Sequence, residues 1–553
     1  TNEQHNKHYK KTMKTKFKTL LATAAVSLAF PTSAKVTLPA FFTSGMVLQH
    51  NTVVSIPCKT TPGADVTVTL SLQSEKIELK ADNEGKFTFR LEVPDASKQP
   101  FWIRFNDGET TLLNDLYSGE VWLCGGQSNM EMPVQGWGCV LNYEQEVANA
   151  AYPFIRLLQV SNTLAFSPQE DAAVNNGGWQ VCSPATVANF SALAYFFGRE
   201  LYKKLNVPIG LVYSAWGGTP CESWVSFETA KAVGGFESTL NMYEECNFDR
   251  DAILARDPGA EHFQKPTLEY NAMIYPLRIM PIAGAIWYQG ENNVGNNVQY
   301  EPLFKGLINN WREIWGNNFP FYFVQLAGYQ QPVEVQPGSQ WAALRWAQQK
   351  ALELDNTGMA TAVDVGETDD IHPKNKQEVA RRLSLLALKN TYGFTDIIDK
   401  APELKSYSFT NRKAVLTFSA PLTVKEVALP RGFIMQTSTG SFVKGRCTLE
   451  NDSTISVSGT FTGAPISVRY NWADFPNGNL YGENDLPVLP FRTDQMDGVI
   501  NDIETVKTDS NDKTVDVVTT DGVVVRRNAD HSSATSGLPE GVYIVGSKKV
   551  LVK

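Results

Sequence analysis

Apolar and polar positions alternate in short runs over residues 35–117, as in Val66-Thr67-Val68-Thr69-Leu70, and turn clusters separate them at Thr61-Pro62-Gly63-Ala64 and Asp82-Asn83-Glu84-Gly85. A period of two bounded by Gly, Pro and Asn predicts antiparallel strands, so a small β domain opens the chain. From 118 to 397 the texture changes. Continuous apolar runs at 121–124, 209–214, 283–288, 319–326 and 359–365 alternate with helical spacings such as Leu193, Phe196, Phe197 and Leu201, or Leu303, Leu307, Trp311 and Ile314. That alternation predicts an α/β core, a parallel sheet covered by helices. Short β runs return over 398–500, among them 414–418, 455–457 and 466–470, and predict a second β domain closing on Leu486-Pro487-Val488-Leu489-Pro490-Phe491. Residues 501–553 read as a polar linker and a small β tail module with runs at 522–526 and 541–545.

Composition narrows the function. A chain of 553 residues with 42% hydrophobic content and 12 Trp has ample apolar surface for several folded domains, and disorder is excluded for most of it. A net charge of −9 gives no broad electropositive footprint, which argues against nucleic acid as a partner. From Met13 the chain carries Lys14, Lys16 and Lys18, an apolar run over 20–30 and Thr32-Ser33-Ala34. This predicts a secretory signal over 13–34, hence a periplasmic or extracellular protein. The apolar run is too short for a membrane-spanning helix, so no membrane insertion is expected. Residues 1–12 read as an upstream extension. Seven cysteines form no disulfide framework, although one or two bridges are compatible with export. No metal-ligand spacing occurs, and no cofactor is implied.

The chemistry is sought at strand exits, where open α/β sheets bind ligands. Run 121–124 leads into Gly125-Gly126-Gln127-Ser128-Asn129-Met130, which places Ser128 at the start of a helix as either a nucleophile or an ordinary helix cap. The Gly-Xaa-Ser-Xaa-Gly elbow of ordinary α/β-hydrolases is missing. Of six histidines, only His262 and His372 lie in the core. His372 follows the last strand in Asp369-Asp370-Ile371-His372-Pro373, with Pro373 expected in the first turn of the next helix. Asp369 is the expected orienting acid, Asp370 its alternate, and His262 is read as structural. Donors for an oxyanion are offered by Trp216-Gly217-Gly218-Thr219-Pro220 and by the amide of Gln289 in Gln289-Gly290-Glu291-Asn292-Asn293.

Together, Gly126-Gln127-Ser128-Asn129-Met130, Trp216-Gly217-Gly218-Thr219-Pro220, Trp287-Tyr288-Gln289-Gly290-Glu291 and Asp370-Ile371-His372-Pro373 resemble the sialate O-acetylesterase family of SGNH hydrolases. The likeness extends to Phe41-Phe42-Thr43-Ser44-Gly45-Met46-Val47-Leu48-Gln49 near the start, and to Asn479-Leu480-Tyr481 and Pro490-Phe491-Arg492-Thr493 near the end. It implies an SGNH-like three-layer core flanked by β-sandwich-like domains, and a metal-free serine esterase that removes acetyl groups from sugar hydroxyls. O-acetylated sialic acid is the first substrate class and acetylated xylan the second. The contrasting alternative is an inactive secreted carbohydrate-binding protein. The resemblance makes Ser128 the nucleophile and His372 the base, with the N–H groups of Ser128 and Gly218 (or Gly217) and the Gln289 amide as oxyanion hole. Asn129, Trp216, Tyr288 and Glu291 are candidate substrate contacts; of the aromatics Trp137, Trp216, Trp287 and Tyr288, one or two are expected to touch sugar. Asn292 departs from the Ser common after the family's Glu. The tail sequence Gly537-Leu538-Pro539-Glu540-Gly541-Val542-Tyr543-Ile544-Val545 resembles modules of exported Bacteroidetes proteins, some of them sorting signals, with a plain β-hairpin accessory as the alternative.

Overall fold

A computed structural model describes residues 35–410, 412–495 and, in the tail, 514–519, 524–530, 533–539, 541–545 and 548–552. The expected signal over 13–34 and most of the expected linker lie outside the described residues.

The central sheet is built on β1 (Thr110–Gly126), which leads into the one-turn helix α1 (Ser128–Glu131). In chain order there follow β2 (Tyr152–Gln159), α2 (Ala192–Leu205), β3 (Ile209–Ala215), β4 (Gly284–Tyr288), α3 (Asn297–Trp315), β5 (Phe321–Gln325), α4 (Gln340–Gln349), β6 (Thr357–Thr361) and α5 (Lys376–Leu386). The parallel strands stand in the order β6-β5-β4-β1-β3-β2. Strand order therefore reverses at β1, a topological switch point. The sheet is covered on both faces: Trp122 packs edge-on against Phe197 of α2, while Gly125, three positions on and so on the other face, leaves room for Trp311 of α3.

β1 crosses residue 117, where separate domains were expected. Its first half pairs with Ser97–Asn106 of the N-terminal β region and its second half with β3 and β4, and one hydrophobic cluster runs from Val36 to Leu388. β2 is absent from the sequence reading because Pro153 and Arg156 interrupt its apolar run. Arg156 is buried as the link to the N-terminal region, 2.7 Å from Asp115 and donating to the Gly45 carbonyl at 3.1 Å. The other strands match the expected runs to within a few residues.

The C-terminal β region has its own core, from Ala414 to Phe491, between two four-stranded sheets. It is braced on the α/β core by Ser339 and Tyr329, which donate to Asp474 Oδ1 at 2.6 Å and to the Asp474 carbonyl at 3.1 Å. In the tail, four strands including Gly541–Val545 and Lys548–Val552 form one further sheet. All seven cysteines are unpaired. Among the described residues no helix is long and apolar enough to cross a membrane.

Candidate active site

Three strands end level with one another. Gly126 stands in register with Ala215 of β3 and Tyr288 of β4, so the segments after β1, β3 and β4 leave the sheet side by side at its carboxyl edge. Gly126 is required for the first of these turns: its φ is +147°, and a Cβ there would lie 2.1 Å from the Tyr288 carbonyl oxygen. Gln127 then ties the turn to β4, donating its N–H to that carbonyl at 3.0 Å and accepting at Oε1 from the N–H groups of Gly290 and Asn292. Ser128 follows as the first residue of α1, partly exposed.

His372 comes from the far edge of the sheet, on the loop after β6. Asn129 brings it in, donating from Nδ2 to the Ile371 carbonyl at 3.0 Å, so the residue after Ser128 is bonded to the residue before His372. The ring nitrogen Nδ1 lies 3.2 Å from Asp370 Oδ1, which also accepts the His372 N–H at 2.9 Å. Burial holds the imidazole below its ordinary pKa; the Asp370 charge opposes this and the Lys376 charge adds to it. A ring neutral near pH 7 is suited to accepting a proton.

The expected preference for Asp369 is not what the geometry displays. Asp369 Oδ1 accepts from Gln331 Nε2 at 2.9 Å, and Asp370 meets the ring. A carboxylate two residues before an N–H folds back on it as an Asx turn, which carries Asp370 to the imidazole. Pro373 also precedes its helix rather than starting it: α5 begins at Lys376, capped by Asn375.

Among the described residues the N–H groups of Ser128 and Gly218 meet no acceptor. Gly218 has φ +78°, in the left-handed region, and its carbonyl is held by Asn292 Nδ2 at 2.9 Å and Gln264 Nε2 at 3.1 Å. The alternate donor Gly217 is occupied, giving its N–H to Glu131 Oε2 at 2.6 Å. Gln289 also departs from expectation. Its side chain is fully buried, Nε2 donates to Asn293 Oδ1 at 2.7 Å and to the Thr219 carbonyl at 3.3 Å, and Oε1 accepts from the Tyr300 hydroxyl at 3.2 Å. A buried amide must satisfy its own hydrogen bonds, and this one joins the two loops instead of pointing at the cleft.

The expected substrate contacts divide in the same way. Tyr288 and Trp287 are fully buried. Asn129 is turned inward, and Glu291 Oε1 accepts from its Nδ2 at 2.5 Å. Trp216 is partly exposed and stacks on Phe263 with ring centroids 5.5 Å apart; Phe263 in turn stacks on His262, which lies at the surface rather than in the core. Trp137 is 58% exposed and meets the His372 ring edge-on at 5.0 Å. Glu131 and Lys376 were not found in the sequence. Their signal was spacing alone: Glu131 lies three residues after Ser128, and Lys376 four after His372.

A hydroxyl at a strand exit, an imidazole with a carboxylate at its ring, and backbone N–H groups without an acceptor are the parts that acyl transfer uses. The comparisons agree. The profile of the family described as carbohydrate esterase, sialic acid-specific acetylesterase, matches residues 118–254 and 255–385. The chain is similar to sialate O-acetylesterase of Mus musculus, 32% identical over 75% of this chain and 85% of that protein. It is similar also to sialate O-acetylesterase of Homo sapiens, 30% identical over 79% of this chain and 89% of that protein. A crystal structure of a carbohydrate acetylesterase from Xanthomonas citri superposes with a TM-score of 0.72 at 34% identity, covering 83% of this chain and 100% of that one. With the family profile matching residues 118–385 and relatives 30–32% identical over 75–79% of the chain, this protein belongs to the sialic acid-specific acetylesterase family of carbohydrate esterases.

Proposed function

We propose that the protein is an exported serine esterase that hydrolyses O-acetyl groups on sugars through an acetyl-serine intermediate. Ser128 Oγ attacks the acetyl carbonyl while His372 Nε2 takes its proton. Asp370 accepts from Nδ1 and stabilises the imidazolium. The tetrahedral oxyanion is received by the N–H groups of Ser128 and Gly218, and His372 returns the proton to the departing sugar oxygen. Water then repeats the sequence to release acetate. The observation that carries this reading is the bond from Asn129 to Ile371, which joins the Ser128 and His372 segments across the cleft. The test is aryl acetate hydrolysis by wild type and Ser128→Ala. Loss of at least about 10³-fold is expected, and equal rates would refute the serine mechanism.

Membership of the family and the names of the relatives favour O-acetylated sialic acid as substrate. A second reading, a neutral polysaccharide such as acetylated xylan, is favoured by charge. Glu367, Asp369 and Asp370 cluster on the His372 loop, Lys374 there is turned to Glu367 at 3.6 Å, and Lys376 is buried. A sialic acid carboxylate entering beside them meets like charge. Acetate release from the two substrates decides between them, and release from neither, with aryl acetate still cleaved, would reject the sugar-ester assignment.

A further inference from the structure

Asn129 and Lys376 stand behind the catalytic pair and take no part in the acyl-transfer scheme above. Asn129 is 1% exposed and its amide is fully used: Nδ2 donates to Glu291 Oε1 and to the Ile371 carbonyl, and Oδ1 accepts from Lys376 Nζ at 2.7 Å. Lys376, fully buried in the first turn of α5, also donates to the Pro373 carbonyl at 2.6 Å. The two peptide carbonyls that flank His372 are thus held by two side chains of one cluster. The cluster spans α1, the turn after β4 and the start of α5. Hydrophobic side chains packed in the same volume would fill the space but would grip neither carbonyl.

We propose that Asn129, Lys376 and Glu291 form a clamp that positions His372 against Ser128, with Asn129 and Lys376 gripping the carbonyls of Ile371 and Pro373 and Glu291 supplying the countercharge. The inference rests on Ser128 and His372 being the reactive pair, and all three residues are positioning residues. A buried ammonium is costly unless compensated. Here Glu291 faces it from the turn after β4, Asp370 and Glu367 from the loop before α5, and the Tyr288 ring lies 5.8 Å from Nζ. Burial nevertheless pushes the Lys376 ammonium down to about 7 and raises the Glu291 carboxyl above its ordinary range. His372 is faced by Asp370 from its own loop and by Lys376 from α5, so the clamp also sets part of the field at the imidazole.

The test compares Asn129→Ala, Lys376→Met and the double variant on aryl acetate. Each single variant is expected to lower kcat by about 10²-fold with KM within about threefold, because misplacement of a base by about 1 Å costs that much. The double variant is expected to fall no more than about threefold below the weaker single, since one device has been broken twice. The acid limb of kcat/KM should move to higher pH in Lys376→Met, because a cation that disfavours the imidazolium is gone. Glu291→Gln keeps the shape of the cluster and carries the test if the truncations do not fold, with an expected loss of at least tenfold in kcat. Rates within threefold of wild type in folded variants, multiplying losses in the double variant, or an unmoved acid limb would overturn the clamp. Ser128→Ala in the same assay separates the two readings: if it stays active the catalytic pair fails, and if it is dead beside active clamp variants only the clamp fails.

Discussion

Replacing Asp370 by Asn while leaving Asp369 intact, and the reverse, isolates the acid that serves His372. Asp370 Oδ1 lies 3.2 Å from Nδ1, and the Asp370 side chain is 42% exposed. At that separation a carboxylate stabilises an imidazolium by about 1.3 kcal/mol in bulk water and about 2.6 kcal/mol at half that dielectric, and the exposure argues for this screened range rather than the protein interior. The charge alone is therefore worth about 10- to 80-fold in rate. Asn also offers an N–H to Nδ1 and so favours the tautomer that cannot take the serine proton, which brings the expected loss in kcat for Asp370→Asn to about 10²-fold. Asp369→Asn, which loses only a bond from Gln331, should stay within about threefold. The pH profile gives a second reading of the same variant. Asp370 raises the proton affinity of His372 against the depression caused by burial, so its removal should move the acid limit of kcat/KM to lower pH while the plateau falls. Aryl acetate hydrolysis across pH 4 to 9 measures both quantities. A larger loss in Asp369→Asn than in Asp370→Asn, or an acid limit that rises in Asp370→Asn, would refute the assignment.

Gln289→Ala should behave as a stability variant, lowering the thermal midpoint by leaving the Thr219 carbonyl unpaired and removing one of the two donors to Asn293 Oδ1, at about 1–3 kcal/mol; a loss of about 10²-fold in kcat at an unchanged midpoint would return it to the oxyanion hole. Gly218→Ala forces a Cβ onto φ +78° and to 3.0 Å from the Phe263 ring, so kcat should fall by about 10² with the fold retained, read by circular dichroism beside activity. Trp137→Ala should raise KM for an acetylated sugar by about three- to tenfold, the value of one lost stacking contact, and leave aryl acetate kinetics unchanged; equal effects on both substrates would place Trp137 with the imidazole and not with the sugar.

Fold class and the site's loops were legible in the sequence because both are local signals. Continuous apolar runs report buried parallel strands, and the Gly-rich turns at 125–126 and 217–218 mark where the chain must turn sharply at strand exits. β2 was not legible, since its buried Arg156 looks polar until Asp115 and the Gly45 carbonyl are brought to it. The continuity of β1 across residue 117 was not legible for a related reason: a strand can change sheets without any break in its pattern.

What sequence by itself determined is which residue types stand at the ends of which strands, and so the family, with Ser128 and His372 as the hydroxyl and imidazole we propose to react. Tertiary structure decided which of those residues look outward. The engagement of Asp369 by Gln331, the occupation of the Gly217 N–H by Glu131, and the inward turns of Asn129, Gln289 and Glu291 depend on partners far along the chain. Most buried polar groups take whichever acceptor or donor the packing supplies, and spacing along the chain does not record that choice.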